Sequence, residues 1–392
     1  EIQVIGFFGG DAGRLRFEDL IQRYRSPRMG FQIVDPEEEP GLAARYGISK
    51  EGQIVVLRGG NQALVDDLSE EKITNAIIKV TREEEKVIYF LKGHGERDID
   101  DDGAEGFSLA RQEVENQTYR AQSYNLAQQN QLPADATVIV SAGPRIDFLP
   151  TEVALLKEFL EEGGSLLILV DPLTEFGMGE FFADYGLALG HNVVIDASGI
   201  GQLFGLGAAA PLVSEFEEHP MTQELSGVMT FFPMAQNVTT SSSPLDYRTQ
   251  ELLTTSPRSW AESQLEAGEA AFDEGQDTQG PLQLAAVATL RIEDLPSSDG
   301  EAPEVESRVV LIGDADFASN GYFDSASNGD LFLMAVGWLS EEADLLAIRP
   351  KDPENRRINV TLGQSRMIFW ASVVLLPLMT LVLGSAVWMR RR

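Results

Sequence analysis

The sequence has no cysteine, and it has only three histidines, His94, His191 and His219. The first absence excludes disulfide frameworks, thiolate metal sites, CxxC redox chemistry and any thiol nucleophile. The second leaves a histidine-rich metal centre or a Ser-His-Asp triad very little to draw on. Basic charge is scarce too: 30 Lys and Arg face 62 Asp and Glu, a formal net charge of −32 over 392 residues. So acidic a chain lacks the clustered Lys and Arg that phosphate backbones demand, and nucleic acid is not an expected partner. No phosphate loop of the GxxxxGK[ST] type occurs, and the Gly-rich stretch 199–207 carries no Lys.

What is present is ordinary globular composition, 43% hydrophobic and 23% charged, in a chain long enough for two or three folded units. Residues 2–8 (IQVIGFF) read as a strand, 17–24 as a helix and 31–34 as a second strand ending at Asp35-Pro36. A short helix over 41–48 is stopped by Gly47, and 54–57 reads as a third strand. Leu68, Ile73, Ala76, Ile77 and Val80 then recur at helical spacing, with Lys79 and Arg82 near the end, where the helix dipole favours cations. This β-α-β-α-β-α order over residues 1–82 resembles a thioredoxin-like domain. The Cys pair and cis-Pro segment of the redox-active family are missing, so no redox function carries over and an interaction role is expected.

Residues 83–345 read as a larger α/β domain. Four apolar runs, 87–91, 137–140, 166–170 and 309–312, are short, rich in Val, Ile and Leu, and fit buried parallel strands. Helical stretches over 108–119, 151–162 and 329–339 alternate with them. The second is capped in sequence at Pro150-Thr151 and stopped by Gly163-Gly164. Strand-helix alternation predicts a doubly wound, Rossmann-like sheet. Between 177 and 280 the pattern loosens into an insertion of loops and short strands, and 281–292 resumes a strand.

In open α/β sheets ligands sit at the carboxyl ends of strands. Those ends carry His94 and Glu96 after the first run, Asp171 after the third, and Asp314 and Asp316 after the last. One reading is a small-molecule or cation crevice. The other is that these acids turn the chain and cap the adjoining helices, which needs no further assumption and predicts no stabilisation by Ca²⁺ or Mg²⁺. His94 could serve as a base if Glu96 or Asp171 oriented it, yet neither Ser108 nor Ser141 sits in a GxSxG elbow, so no catalytic residue is expected. His191 and His219 lie in loop-like contexts and are expected at the surface.

Residues 367–389 (MIFWASVVLLPLMTLVLGSAVWM) contain no charge and are long enough to cross a hydrocarbon core of ~30 Å. Trp370 and Trp388 stand near the two ends, Arg366 precedes the segment, and Arg390, Arg391 and Arg392 form a basic tail. A transmembrane helix is expected, joined to the α/β domain by a juxtamembrane linker over 346–366. Its orientation stays open on charge count, because Arg349, Lys351, Arg356, Arg357 and Arg366 on one flank outnumber the three arginines on the other.

Four motifs carry a specific resemblance: VIYFLKGHGE (87–96), FLPTEVALLKEFLEEGGSLLILVDP (148–172), RVVLIGDADFASN (308–320) and NGDLFLMAVGWLSEE (328–342). Together they resemble the GldG family, auxiliary membrane subunits of uncharacterised ABC-2-type transport systems, some named for gliding motility. The resemblance implies a class I glutamine-amidotransferase-like fold, which also occurs in intraflagellar-transport proteins. The amidotransferase nucleophile is a cysteine, so a non-enzymatic relative without a cofactor is implied. Implied partners are an ABC-2-type permease and its ATPase subunit, the lipid bilayer and further copies of the chain. Implied too are an upstream membrane helix or fused permease and a bacterial inner-membrane location with the soluble domain on the periplasmic side. The alternative reading is a small-molecule or polysaccharide sensor using the strand-end crevice.

Overall fold

A computed structural model describes residues 2–24, 26–81, 86–117, 119–174, 176–199, 207–264, 270–292 and 305–340. The expected membrane span, its linker and tail, and with them Arg366, Trp370, Trp388, Arg390, Arg391 and Arg392, lie outside the described residues. Among the described residues no helix is long and apolar enough to cross a membrane.

The N-terminal stretch builds a four-stranded sheet in the order β2-β1-β3-β4, from β1 (Ile2–Phe7), β2 (Met29–Val34), β3 (Ile54–Arg58) and β4 (Asn61–Val65). Strands β1 and β2 run parallel, whereas β3 pairs antiparallel with both β1 and β4. Helices α1 (Asp11–Ile21) and α3 (Glu70–Thr81) cover one face through Phe17, Ile21, Ile73 and Val80. Helix α2 (Pro40–Arg45) puts Ala43 on the other face, against Phe7 and Val55. Strand β4 has no counterpart in the expected order. It forms because Arg58 pairs with Asn61 across Gly59-Gly60, and the φ of +59° at Gly59 is the left-handed geometry a two-residue hairpin requires.

The larger sheet has seven strands. They are β5 (Val87–Leu91), β6 (Arg120–Tyr124), β7 (Ala136–Ala142), β8 (Ser165–Leu169), β9 (Arg248–Glu251), β10 (Ala285–Ile292) and β11 (Val305–Ile312). Their spatial order is β9-β10-β11-β8-β7-β5-β6. Strands β6, β5, β7, β8 and β11 are mutually parallel, while β10 and β9 add antiparallel ladders at one side. The sheet is therefore mixed. Each parallel strand sends alternate side chains to opposite faces, as a period of two dictates. Val138, Val140 and Ala142 of β7 meet α4 (Ser108–Asn116) and α8 (Asn328–Leu339). Ile139 of β7, with Leu166 and Ile168 of β8, meets α6 (Pro150–Glu161) and α7 (Gly179–Asp184). The one-turn helix α5 (Leu126–Gln129) adds Leu126 to that second face. The result is three layers, α/β/α. Helix α8 is buried at every position but Asp330, which accounts for its nearly unbroken apolar sequence.

The stretch between α7 and β10 folds into antiparallel two- and three-stranded pieces, and one segment, β9, joins the main sheet. Asn328 ties this region to α8: its Oδ1 accepts from Phe231 N at 2.9 Å and its Nδ2 donates to Phe231 O at 2.8 Å. Gln236 lies across the end of β11, where its N–H donates to Gly313 O at 2.8 Å. A Cβ at Gly313 would stand 2.0 Å from Gln236 O, so glycine permits this closure.

Candidate functional site

The chain steps from β5 outward to β6, then returns past β5 to β7 and proceeds the opposite way to β8. The carboxyl ends of β5 and β7 thus flank the reversal point at which open α/β sheets form a ligand crevice. The loop after β5 carries His94 and Glu96, Asp171 follows β8, and Asp314 and Asp316 follow β11. All five side chains stand at this one edge. Hydrogen bonds and ion pairs sort them into two sets.

The first set is His94, Glu96 and Glu152, all almost wholly buried. His94 Nε2 lies 3.0 Å from Glu152 Oε2, and its Nδ1 lies 3.7 Å from Glu96 Oε1. A carboxylate only accepts, so Nε2 carries the proton. The His94 N–H donates to Glu96 Oε2 at 2.7 Å, and the ring stands edge-on to Phe148 with centroids 4.6 Å apart. Glu152 Oε2 also accepts from Leu149 N at 2.7 Å, closing the first turn of α6. The helix therefore starts at Pro150, with Leu149 as N-cap, and Thr151 lies inside the first turn rather than capping it. Held between two carboxylates behind Phe148, His94 is 6% exposed, and its Nδ1 has no hydrogen-bond partner among the described residues.

The second set is Asp171, Asp314 and Asp316, gathered around Arg97. Arg97 is 8% exposed. Its Nη2 donates to Asp171 Oδ2 at 2.9 Å and to Asp316 Oδ1, and its Nη1 donates to Glu105 Oε2 at 3.2 Å. The Arg97 N–H donates to Ala142 O at 2.8 Å, which fixes the loop to the end of β7. Gly143, at φ +66°, lets the guanidinium approach: a Cβ there would stand 3.2 Å from Arg97 Nε and 3.1 Å from Asp171 Oδ2. Each of two acids spends one oxygen on a backbone N–H, Asp171 across to the end of β11 and Asp314 within its own turn. Asp171 Oδ1 accepts from Ala315 N at 2.7 Å, and Asp314 Oδ1 accepts from Asp316 N at 2.8 Å. Asp314 is 0% exposed, and its Oδ2 has no hydrogen-bond partner among the described residues. Burial, then the neighbouring Asp171 and Asp316, push the Asp314 carboxyl well above the usual range. Asp316 is raised chiefly by burial and Asp171, with Arg97 opposing them. Burial would lower Arg97, but Asp171 and Asp316 outweigh it, so the guanidinium stays charged.

Arg97 is the residue that sequence reasoning missed. It lies in the charged run Glu96-Arg97-Asp98, which reads as a solvated loop, and only the tertiary fold carries it inward. His219 departs from expectation as well. It is half-buried with its ring edge-on to Trp338 at 4.7 Å, and burial followed by Arg308 lowers its pKa to about 4. His191 is exposed, at φ +51°, on a cleft of about 730 Å³ that Asp147, Leu173, Thr174 and Glu180 also line. A second cleft, of about 600 Å³, lies at the opposite end of the strands beside Lys86, Thr137 and Ser165, away from the acids.

A three-layer α/β domain, with an acidic crevice at its carboxyl edge and no cysteine to serve as a nucleophile, is the class that fold and site define. Within that class the chain belongs to the family described as "ABC-type uncharacterized transport system", whose model matches residues 85–335, and it is an auxiliary component of such a system. No curated protein matches the chain. Among solved structures it is similar to "mmIFT52 N-terminal domain", at 14% identity and a TM-score of 0.47, over 64% of this chain and 97% of that one. It is also similar to "Structure of a malarial protein", at 22% identity and a TM-score of 0.19, over 21% of this chain and 98% of that one.

Proposed function

We propose that the protein is a non-enzymatic, membrane-anchored accessory subunit of an ABC transporter complex, and that its soluble domain is a platform for a partner or an exported substrate. Membership of the auxiliary transport family carries this reading. The enclosure of His94 between Glu96 and Glu152 supports the non-enzymatic part, because this buried imidazole sits against the acid that closes the first turn of α6. A permease and a separate ATPase subunit supply transport and hydrolysis, and the uncharged segment 367–389 supplies the anchor, with the acidic domain on the periplasmic side. The N-terminal unit serves as a further interaction surface of thioredoxin-like type, a reading supported by its β2-β1-β3-β4 order with β3 antiparallel.

A detergent-solubilised pull-down with mass spectrometry tests this. Recovery of a permease and an ATPase is the expected result, and isolation of the chain alone would overturn the reading. Deleting residues 367–392 should release a folded, acidic protein from the membrane fraction, which fractionation followed by circular dichroism would detect. A sensor of small molecules is the second reading, favoured by the cleft that Asp147, Thr174, Glu180 and His191 line at the same edge.

A further inference from the structure

We propose that Asp171, Asp314 and Asp316 form a binding site for a hard divalent cation, Ca²⁺ or Mg²⁺, for which Arg97 is the built-in competitor. The three carboxylates bring one oxygen each to within 4.8 Å of one another. A local turn uses one oxygen of Asp314, and a tie from the end of β8 to the end of β11 uses one of Asp171, so backbone contacts do not explain the rest of the arrangement. Asp314 Oδ2 is the second observation. A carboxyl that is 0% exposed and leaves one oxygen without a hydrogen-bond partner among the described residues is costly unless something pairs with it.

Charge points the same way. With all three ionised, the carboxylates exceed the one guanidinium that bridges them by two charges, the number a divalent cation carries. The donor set is oxygen only, with no imidazole or thiolate in it, and this favours Ca²⁺ or Mg²⁺ over Zn²⁺. Entry is open on one side, since the Asp316 side chain keeps 32% exposure whereas Asp314 forms the closed floor. Arg97 Nη2 bridges Asp171 and Asp316. A cation bound to those oxygens displaces that bridge, and Arg97 keeps Glu105 through Nη1. Binding therefore trades an internal ion pair for metal coordination, so the affinity depends on how strongly Arg97 competes.

The test is thermal unfolding and titration calorimetry on the full chain in mild detergent, after treatment with a chelator, with CaCl₂ or MgCl₂ added at constant ionic strength. The expected result is a higher melting temperature and a saturable heat in the wild type. Asp314→Asn should abolish both, and Asp316→Asn should weaken binding at least tenfold. Arg97→Gln, which removes the competitor, should tighten binding. No shift in the wild type would overturn the proposal. An equal shift in Asp314→Asn would do so too, because it would mean screening of the net charge of −32 and not a site. Asp314→Asn keeps the acceptor for the Asp316 N–H, and if it nevertheless unfolds, calorimetry on the more exposed Asp316→Asn decides. The outcome is independent of whether a transporter is recovered by pull-down.

Discussion

Asp314 and His219 pull the pH dependence of stability in opposite directions. The folded-state pKa of Asp314 is raised by burial and by Asp171 and Asp316, so its stabilising contribution is complete below the usual carboxylate range and is lost as pH rises through the folded value. Asp314→Asn, in chelator, should therefore be more stable than the wild type at neutral pH, by on the order of 1 kcal/mol or more. The gain should vanish toward pH 3, which denaturant melts at several pH values would follow. His219 is the reverse case. Its pKa is lowered from 6.5 to about 4, so its contribution is present above 6.5 and is lost as pH falls through about 4. His219→Gln should blunt the acid sensitivity of the wild type across that window, by on the order of 1 kcal/mol once partial exposure is discounted. The acids of the crevice were legible because each follows an apolar run. Arg97 was not, because nothing in a charged loop marks which residue turns inward.

Among the elements, the start of α6 concentrates the most cost in one side chain. Glu152 Oε2 serves both Leu149 N and His94 Nε2, so its removal leaves a helix terminus and a buried imidazole without their acceptor. Glu152→Ala should destabilise by roughly 3 kcal/mol, the cost of breaking a buried pair, while Glu152→Gln, which keeps an acceptor, should lose less. Urea unfolding of the three proteins checks the order. The helix itself could be read from Val153, Leu156 and Leu160, but its first residue could not, because the closing contact is made by a side chain three residues inside. Four of the five parallel strands were readable for a related reason: buried on both faces, they carry the continuous apolar runs 87–91, 137–140, 166–170 and 309–312. Strand β6 (RAQSY) stands at the sheet edge with only Ala121 buried, and carries no such signal. Strand β4 was marked only by Gly59-Gly60, which is a hairpin signal when two strand-like runs flank it.

At the scale of the molecule, the order of strands in space departs from their order along the chain a second time, at β11. This strand lies between β8 and β10, pairing with Ser165–Leu169 on one side and along the whole of Ala285–Ile292 on the other. Of these seven strands, β5, β6, β7 and β8 emerge first during synthesis. Strand β8, buried at all five positions in the finished fold, then waits through more than a hundred residues of nascent chain for its neighbour. An apolar edge left open that long is a template for pairing with the wrong strand. Chains stalled or truncated before residue 305 should therefore accumulate bound to holdase chaperones or in inclusion bodies, whereas chains carried past residue 340 should not, as pulse-labelling with chaperone capture would reveal. Biogenesis of the sheet is thus gated by an interior strand that is the last of the seven to leave the ribosome.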